Sequence, residues 1–246
     1  MPVMQRRAQD TRSALLQSAR QVFADVGYSE ANVAEVVSRA GSSVGSMYHH
    51  FGGKADLFLA LHDGYQARQE SRADDAVREI LAAGERNPVR VFAAGARAFM
   101  LGAWEERDLA RLFLAGDGPP GFDSVMRAGF ADWVRRSGAV LRGVDSEIVN
   151  QAYPLVLTTV IAAGAREVTQ QSDEQAAKVF ADDILTLLDR FTRSDLAPGS
   201  PLASGSPLAS GSPLASGSPL ASGSPLASGS PLASGSSPTP GSLQAP

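Results

Sequence analysis

The chain has 246 residues, a formal net charge of −4 and no cysteine, which excludes disulfides and thiolate metal sites. Its last charged residue is Asp195. No apolar run approaches the roughly 20 residues that span a bilayer, and residues 1–10 lack the apolar stretch of a secretory signal. We therefore expect a cytoplasmic protein without a membrane partner. Because the charge balance is acidic, any nucleic-acid binding must depend on a local surface.

The first elements in chain order are predicted to be helices. Leu15 begins an apolar stripe at helical spacing that runs to Val26, and Gly27 is placed to end this helix. A second helix begins at Asn32, with Glu35 as a capping-box partner, and ends at Gly41. A third runs from about Ser43 to Phe51, and a long helix runs from Lys54 to about Ala83.

Further helices are predicted for the rest of the charged region. Asn87-Pro88 is a favourable helix start, and Ser172 with Gln175 forms a second capping box. Pro154 is expected to kink the long apolar helix that contains it. The predicted helices are 88–103, 108–115, 122–141, 146–170 and one from 172 to about 193, with the segment 116–121 as a clear break. About nine helices and no strand pattern predict an all-α fold.

The last part of the chain has a different composition. PLASGS occurs six times without variation between Pro201 and Ser236. A proline at every sixth position opposes both helix and strand, and one leucine per repeat buries too little surface to offset ordering. We expect residues 196–246 to be a disordered tail, with a spacer or partner-binding arm as the alternative.

The stretch from Asn32 to Lys54 predicts a helix-turn-helix. Gly41 lies at the turn, and Ser43 is placed to cap the second helix. Met47 and Phe51 point inward. The open side holds residues suited to a base edge or to phosphate oxygens, and Lys54 lies beside it. Those open-side residues are Val44, Gly45, Ser46, Tyr48 and His49.

A dense, ordered motif runs through the same region: Phe23-x-x-x-Gly27-Tyr28, then Ala40-Gly41-x-Ser43-x-Gly45-x-x-Tyr48-His49-His50-Phe51-x-x-Lys54-x-x-Leu57. This motif resembles the DNA-binding domain of TetR-family transcriptional regulators over about residues 10–60. The resemblance implies a homodimer that binds a double-stranded operator, with the last two helices, about 146–170 and 172–193, as the dimer interface. It also implies a helical domain that holds a small effector. The implied domains are 1–53 for DNA, 54–195 for effector and dimer, and 196–246 as the tail.

The resemblance also assigns roles to single residues. It implies phosphate contacts from Asn32, Ser43, Tyr48, His49 and Lys54, and base contacts from Val44, Gly45 and Ser46. Asn32 stands where the family usually has threonine, and Ser42 where it has a buried valine. Val44 stands where lysine or arginine is common, and we expect it to pack on a thymine methyl group. The alternative without DNA binding is that Tyr48 and His49 are ordinary half-buried helix residues. For Arg6, Arg7 and Arg12 the alternatives are a solvated face or an arm that reaches toward DNA.

The central helices concentrate aromatic residues and methionine, most of which we expect in the core. A cleft of such residues between helices also suits an apolar effector. His62, beside Asp63, is expected at a solvated position. The candidate effector pocket is Phe99, Trp104, Phe122, Met126, Phe130, Trp133 and Tyr153.

The motif favours a ligand-released repressor of a palindromic operator over two other classes of protein. An enzyme is disfavoured because the sequence has no nucleophile–base pattern, Gly-rich phosphate loop or metal constellation, so no catalytic residue, metal site or cofactor is predicted. A helical protein-interaction scaffold without DNA binding accounts for the bundle and the tail. It does not account for the pattern from Ser43 to Lys54.

Overall fold

The computed structural model describes residues 2–143 and 152–194, and these contain nine α-helices, one short 3₁₀ helix and no strand. The all-α prediction is confirmed. The first helices are α1 (Pro2–Glu30), α2 (Val33–Arg39), α3 (Val44–His50) and α4 (Lys54–Ala82). They are followed by α5 (Pro88–Glu105), α6 (Arg107–Leu114), α7 (Phe122–Val140), the 3₁₀ helix (Leu141–Gly143), α8 (Ala152–Val168) and α9 (Glu174–Ser194). The tail predicted for 196–246 lies outside the described residues.

The first helix is longer than its apolar stripe, because it begins at Pro2. Arg6, Arg7 and Arg12 therefore lie on an exposed helix and not on an extended arm. Gly27 interrupts α1 as predicted, with φ 79° and ψ 177°, a left-handed φ that favours glycine.

The caps of α2 and α9 in the structure differ in detail from the two predicted capping boxes. Asn32 caps α2 by accepting from the Ala34 N–H at 2.8 Å, but Glu35 accepts from Arg39 instead of reaching back. For α9 the cap is Asp173, one residue after the predicted Ser172, and its carboxylate accepts from the Ala176 N–H at 2.9 Å. A carboxylate at this position satisfies a free N–H and also complements the helix dipole.

Three predicted details of the last two helices lie wholly or partly outside the described residues. The predicted start of the long apolar helix at Ser146 lies outside them. Pro154 is the third residue of α8, and the turn before it also lies outside them, so its kink stays a prediction. Phe191 lies on α9, but its side chain is not among those described.

The described residues form one compact unit whose apolar core is continuous from α1 to α9. Phe58 on α4 lies at the junction: its ring centroid is 5.7 Å from that of Phe23 and 5.2 Å from that of Tyr28. On its other side it lies 5.3 Å from Phe113 and 4.9 Å from Phe122. Aromatic packing therefore joins the first three helices to the remainder of the bundle. None of the described helices combines the length and the hydropathy of a bilayer-spanning segment.

Candidate DNA-binding surface and effector cavity

The turn between α2 and α3 has the geometry that a helix-turn-helix needs. Gly41 has φ 57°, its N–H donates to the Ser38 carbonyl, and the Ser42 N–H donates to the Val37 carbonyl, both at 3.1 Å. These two bonds form a Schellman motif, which requires a left-handed residue at the position of Gly41. The turn therefore fixes the direction in which α3 leaves.

Helix α3 separates a buried face from an exposed one. Met47 is fully buried against the core, and the Ser43 hydroxyl accepts from the Ser46 N–H at 3.1 Å, so the predicted cap is confirmed. On the outer face Val44 is 49% exposed and Tyr48 57% exposed, and Gly45 and His49 are also exposed. Ser46 is half-buried. The large side chains of Val44 and Tyr48 are thus exposed to solvent on a helix whose opposite face is packed against the core.

Lys54 differs from the other predicted contact residues. Its ammonium group donates to the carbonyls of Tyr28, Ser29 and Ala31 at 2.8, 3.1 and 3.1 Å, and it lies 4.5 Å from the centroid of the Tyr28 ring. All three protons are therefore engaged within the protein. In this structure Lys54 ties α4 to the end of α1 instead of pointing freely from the surface.

A cavity of about 370 Å³ lies among the helices of the second part of the chain. Four residues of the predicted pocket line it: Phe99, Met126, Phe130 and Trp133. Three do not line it. Phe122 turns into the aromatic core beside Phe58, Trp104 stacks with Arg107, and Tyr153 is half-buried on α8.

The wall that α4 contributes to this cavity was not predicted from the sequence. His62, Tyr65 and Gln69 line it, and each is buried, with exposed fractions of 4%, 7% and 1%. The expectation that His62 is solvated was wrong, because its ring lies 5.1 Å from both Phe113 and Phe122. The spacing of these residues at 62, 65 and 69 was the available signal, since it places them on one helix face.

Burial controls the protonation of two of these groups. Desolvation lowers the pKa of His62 below its ordinary value, although the Asp63 carboxylate opposes this. Desolvation also raises the pKa of Tyr65 to about 12. Both groups are therefore uncharged at neutral pH.

Polar contacts connect α1 to α6 and to the loop between α6 and α7. Asp117 accepts from the Ser29 N–H at 3.0 Å and from its hydroxyl, and these bonds lower the pKa of Asp117. Arg20 donates to Asp108 at 2.6 and 2.7 Å. Because α7 lines the cavity and begins just after this loop, the loop connects the end of α1 to a helix of the cavity wall.

Buried Glu106 anchors α4 to the start of α6. Its carboxylate accepts from Arg68 at 2.6 Å and from Arg72 at 2.7 Å. Burial alone would raise the pKa of Glu106, but the hydrogen bonds from the two guanidinium groups outweigh it and the pKa is lowered. The ion pair thus stays formed at neutral pH.

Comparison with known proteins finds similar sequences over the first part of the chain, which contains the helix-turn-helix. A sequence model of the bacterial regulatory proteins of the tetR family matches residues 15–61. Residues 15–61 are therefore a segment of the TetR-family type. The helix-turn-helix, α2 to α3, lies inside this matched segment. The HTH-type transcriptional repressor AcnR of Corynebacterium efficiens is 35% identical over 82 residues, which cover 33% of this chain and 44% of that protein.

Solved structures extend the likeness beyond the first helices. A TetR-family regulator from Syntrophomonas wolfei superposes with a TM-score of 0.61 at 12% identity, covering 75% of this chain and 96% of that one. AibR, crystallised with isovaleryl coenzyme A and operator DNA, gives a TM-score of 0.56 at 15% identity, with coverage of 72% and 97%. At these identities the likeness is one of fold. The match to AcnR spans less than half of that repressor's length.

Proposed function

We propose that this chain is a DNA-binding transcriptional regulator, a homodimeric repressor of a palindromic operator that a small effector releases. The proposal rests on the solvent exposure of the outer face of α3. This face presents Val44 and Tyr48 to solvent at about half of their possible exposure, on a helix whose opposite face is fully buried. Exposed valine and tyrosine on so short a helix are explained if the face enters a major groove.

The residues of this face divide into two chemical roles. Tyr48, His49 and the capped start of α3 at Ser43 are suited to phosphate oxygens, and Asn32 lies exposed at the start of α2. Val44, Gly45 and Ser46 are suited to base edges, with Val44 against a thymine methyl group. Lys54 acts as a positioning residue, because a phosphate would have to replace one of its three carbonyl acceptors.

Exposed apolar residues on the last two helices support a dimer. Leu155, Val156 and Val160 on α8 are 46%, 47% and 36% exposed, and Val179 and Leu187 on α9 are 50% and 64% exposed. A two-fold pairing of these faces would bury them in a four-helix interface. Such a dimer presents two α3 helices to successive major grooves if they lie roughly 34–36 Å apart.

Effector release is proposed to act through α4 and the loop before α7. His62 on α4 borders the cavity, and Phe58, one turn earlier, packs against Phe23 and Tyr28. Asp117 holds Ser29 directly. A ligand that favours a different spacing of α4 and α7 therefore shifts α3 and reduces the population that fits DNA.

The alternative is a helical interaction scaffold in the cytoplasm without DNA binding. An electrophoretic mobility shift assay distinguishes this scaffold from the proposed regulator. The probe is the DNA upstream of the chain's own gene, and the competitor is a scrambled duplex of equal length. We expect specific binding that weakens steeply with salt. Tyr48→Ala should weaken it about tenfold or more, since a hydrogen bond to a charged group is worth about 1.5–3 kcal/mol. Val125→Ala, an exposed valine on α7, is the matched control and should change nothing.

Three outcomes would contradict the proposal. The wild-type chain could bind the scrambled duplex equally well, Tyr48→Ala could leave the affinity unchanged, or Val125→Ala could weaken binding as much as Tyr48→Ala does. The first would support the scaffold.

A further inference from the structure

The cavity wall formed by α4 carries polar groups whose hydrogen-bonding capacity is unused. His62 is 4% exposed and Gln69 is 1% exposed, and both line the cavity. Neither ring nitrogen of His62 and neither amide atom of Gln69 makes a hydrogen bond of normal geometry among the described residues. The Asp63 carboxylate lies 3.6 Å from His62 Nδ1, and Tyr65 is the neighbour that interacts with the Gln69 side chain. Buried polar groups are nearly always hydrogen-bonded, because leaving them unsatisfied costs free energy that a partner restores.

The two groups are well separated along the helix. They are seven residues apart, which at 1.5 Å per residue places their backbones about 10 Å apart along the axis. One small polar group cannot satisfy both. A ligand that uses both must lie along α4 and carry a hydrogen-bonding group near each end.

Elsewhere the cavity has an apolar wall, formed by residues of α5 and α7. Phe99 and Trp133 line it with ring centroids 4.4 Å apart, and Ala96 and Met126 contribute further apolar surface. The middle of a ligand lying along α4 therefore meets aromatic and aliphatic groups, which favour an apolar body.

Charges on the cavity wall disfavour an anionic ligand. The charged lining residues are three carboxylates, Glu70, Asp74 and Asp132, and one guanidinium, Arg136. Glu70 accepts from Arg136 at 2.6 Å, so the one lining cation is already engaged. At the inner wall His62 is neutral, and a neutral imidazole offers one donor and one acceptor, as the glutamine amide does.

Resting on the proposed regulator function, we propose that the effector is an elongated, uncharged molecule with an apolar middle and a neutral hydrogen-bonding group near each end, one for His62 and one for Gln69. A volume of about 370 Å³ lies in the range that holds small organic ligands, about 300–1,000 Å³. This assigns a chemical class to the cavity and disfavours carboxylate and phosphate ligands.

The test is calorimetric titration of the full-length wild-type chain with four biphenyl probes. They are 4,4′-biphenol, whose hydroxyl oxygens are separated by about the required distance, 4-phenylphenol, biphenyl and biphenyl-4,4′-dicarboxylate. Each hydrogen bond gained should tighten binding about three- to tenfold, in the order biphenyl, 4-phenylphenol, 4,4′-biphenol. The dicarboxylate should bind at least about tenfold more weakly than the biphenol. Equal affinities across the series, tighter binding of the dicarboxylate, or no binding of the biphenol would each overturn the proposal.

Two variants test whether His62 and Gln69 each bind one end of the ligand. Gln69→Leu and His62→Leu should each reduce the affinity for 4,4′-biphenol about three- to tenfold, with little change for biphenyl. Thr158→Val is the matched control, because the Thr158 hydroxyl is also buried without a hydrogen-bond partner among the described residues but does not line the cavity. It should leave the whole series unchanged, and a loss of biphenol affinity in this control would contradict the assignment. The comparison of the four probes on the wild-type chain does not depend on any variant folding.

The mobility shift distinguishes this inference from the function on which it rests. Specific DNA binding without the expected order of probes refutes the ligand class alone. The expected order of probes without specific DNA binding refutes the regulator function alone.

Discussion

Replacing glycine by alanine at two positions four residues apart should shift stability in opposite directions. Gly41 has φ 57°, and a Cβ added there meets no described heavy atom within 4 Å. The cost is therefore conformational: about 1–2 kcal/mol for a left-handed alanine, offset by about 0.4–1 kcal/mol from a less flexible unfolded chain. At the midpoints of these ranges the net loss for Gly41→Ala is about 0.8 kcal/mol, which lowers Tm by about 2–3 °C in a domain of this size.

Gly45 is the matched position, because it lies inside α3 and a Cβ there would first meet the Ser43 hydroxyl, at 4.0 Å. Alanine gains about 0.8–1.0 kcal/mol over glycine in a helix interior, and we expect about half of this in the first turn. Gly45→Ala should therefore raise Tm by about 1–2 °C. Gly41→Asn should lose less than Gly41→Ala, since asparagine tolerates the left-handed region.

The measurement is thermal unfolding followed by circular dichroism, with urea unfolding as the check on the free energies. If Gly41→Ala raised Tm as Gly45→Ala does, then residue 41 would not be left-handed in solution. The turn that sets the direction of α3 would then be described wrongly, and the reasoning from the Schellman motif would fail.

Three further predictions concern the proposed interfaces and one buried group. Val44→Ala should relax base preference at one operator position in a selection from random duplexes, and an unchanged profile would remove the thymine contact. Leu187→Arg, at a side chain that is 64% exposed on α9, should yield a monomer by sedimentation, whereas an intact dimer would exclude this face. Because burial lowers the folded pKa of His62 below its ordinary value of 6.5, protons bind the unfolded chain first as pH falls below about 6.5. Wild-type Tm should therefore fall more between pH 7.5 and 5.5 than that of His62→Phe, and equal losses would contradict a buried neutral imidazole.

Features set by neighbouring residues could be predicted from the sequence. The apolar stripes, the Asn87-Pro88 start and the Gly41 turn depend on residues within one or two helical turns, so periodicity and capping rules located the helices. Even the wrong cap of α9 was displaced by one residue only, because Ser172 and Asp173 are adjacent candidates and a carboxylate competes well for a free N–H.

Features set by distant residues could not be predicted. His62 is buried because α6 and α7 bring Phe113 and Phe122 against it, about 50 and 60 residues along the chain. Lys54 is engaged by carbonyls 23 to 26 residues earlier. The partners of Ser29 and Arg20 are each 88 residues away. The periodicity of a single sequence gives no information on such long-range contacts. These contacts determine which polar groups remain available to a ligand.

The position of Phe58 limits how this protein can be re-engineered. Its ring is shared, with one side against Phe23 and Tyr28 and the other against Phe113 and Phe122. A fragment cut after α3 would lose that ring and leave Phe23 and Tyr28 facing water. A chimaera that transfers residues 1–53 to another regulator therefore needs an acceptor helix with an aromatic residue at the matching position, or the grafted domain will lose both solubility and the fixed orientation of its third helix.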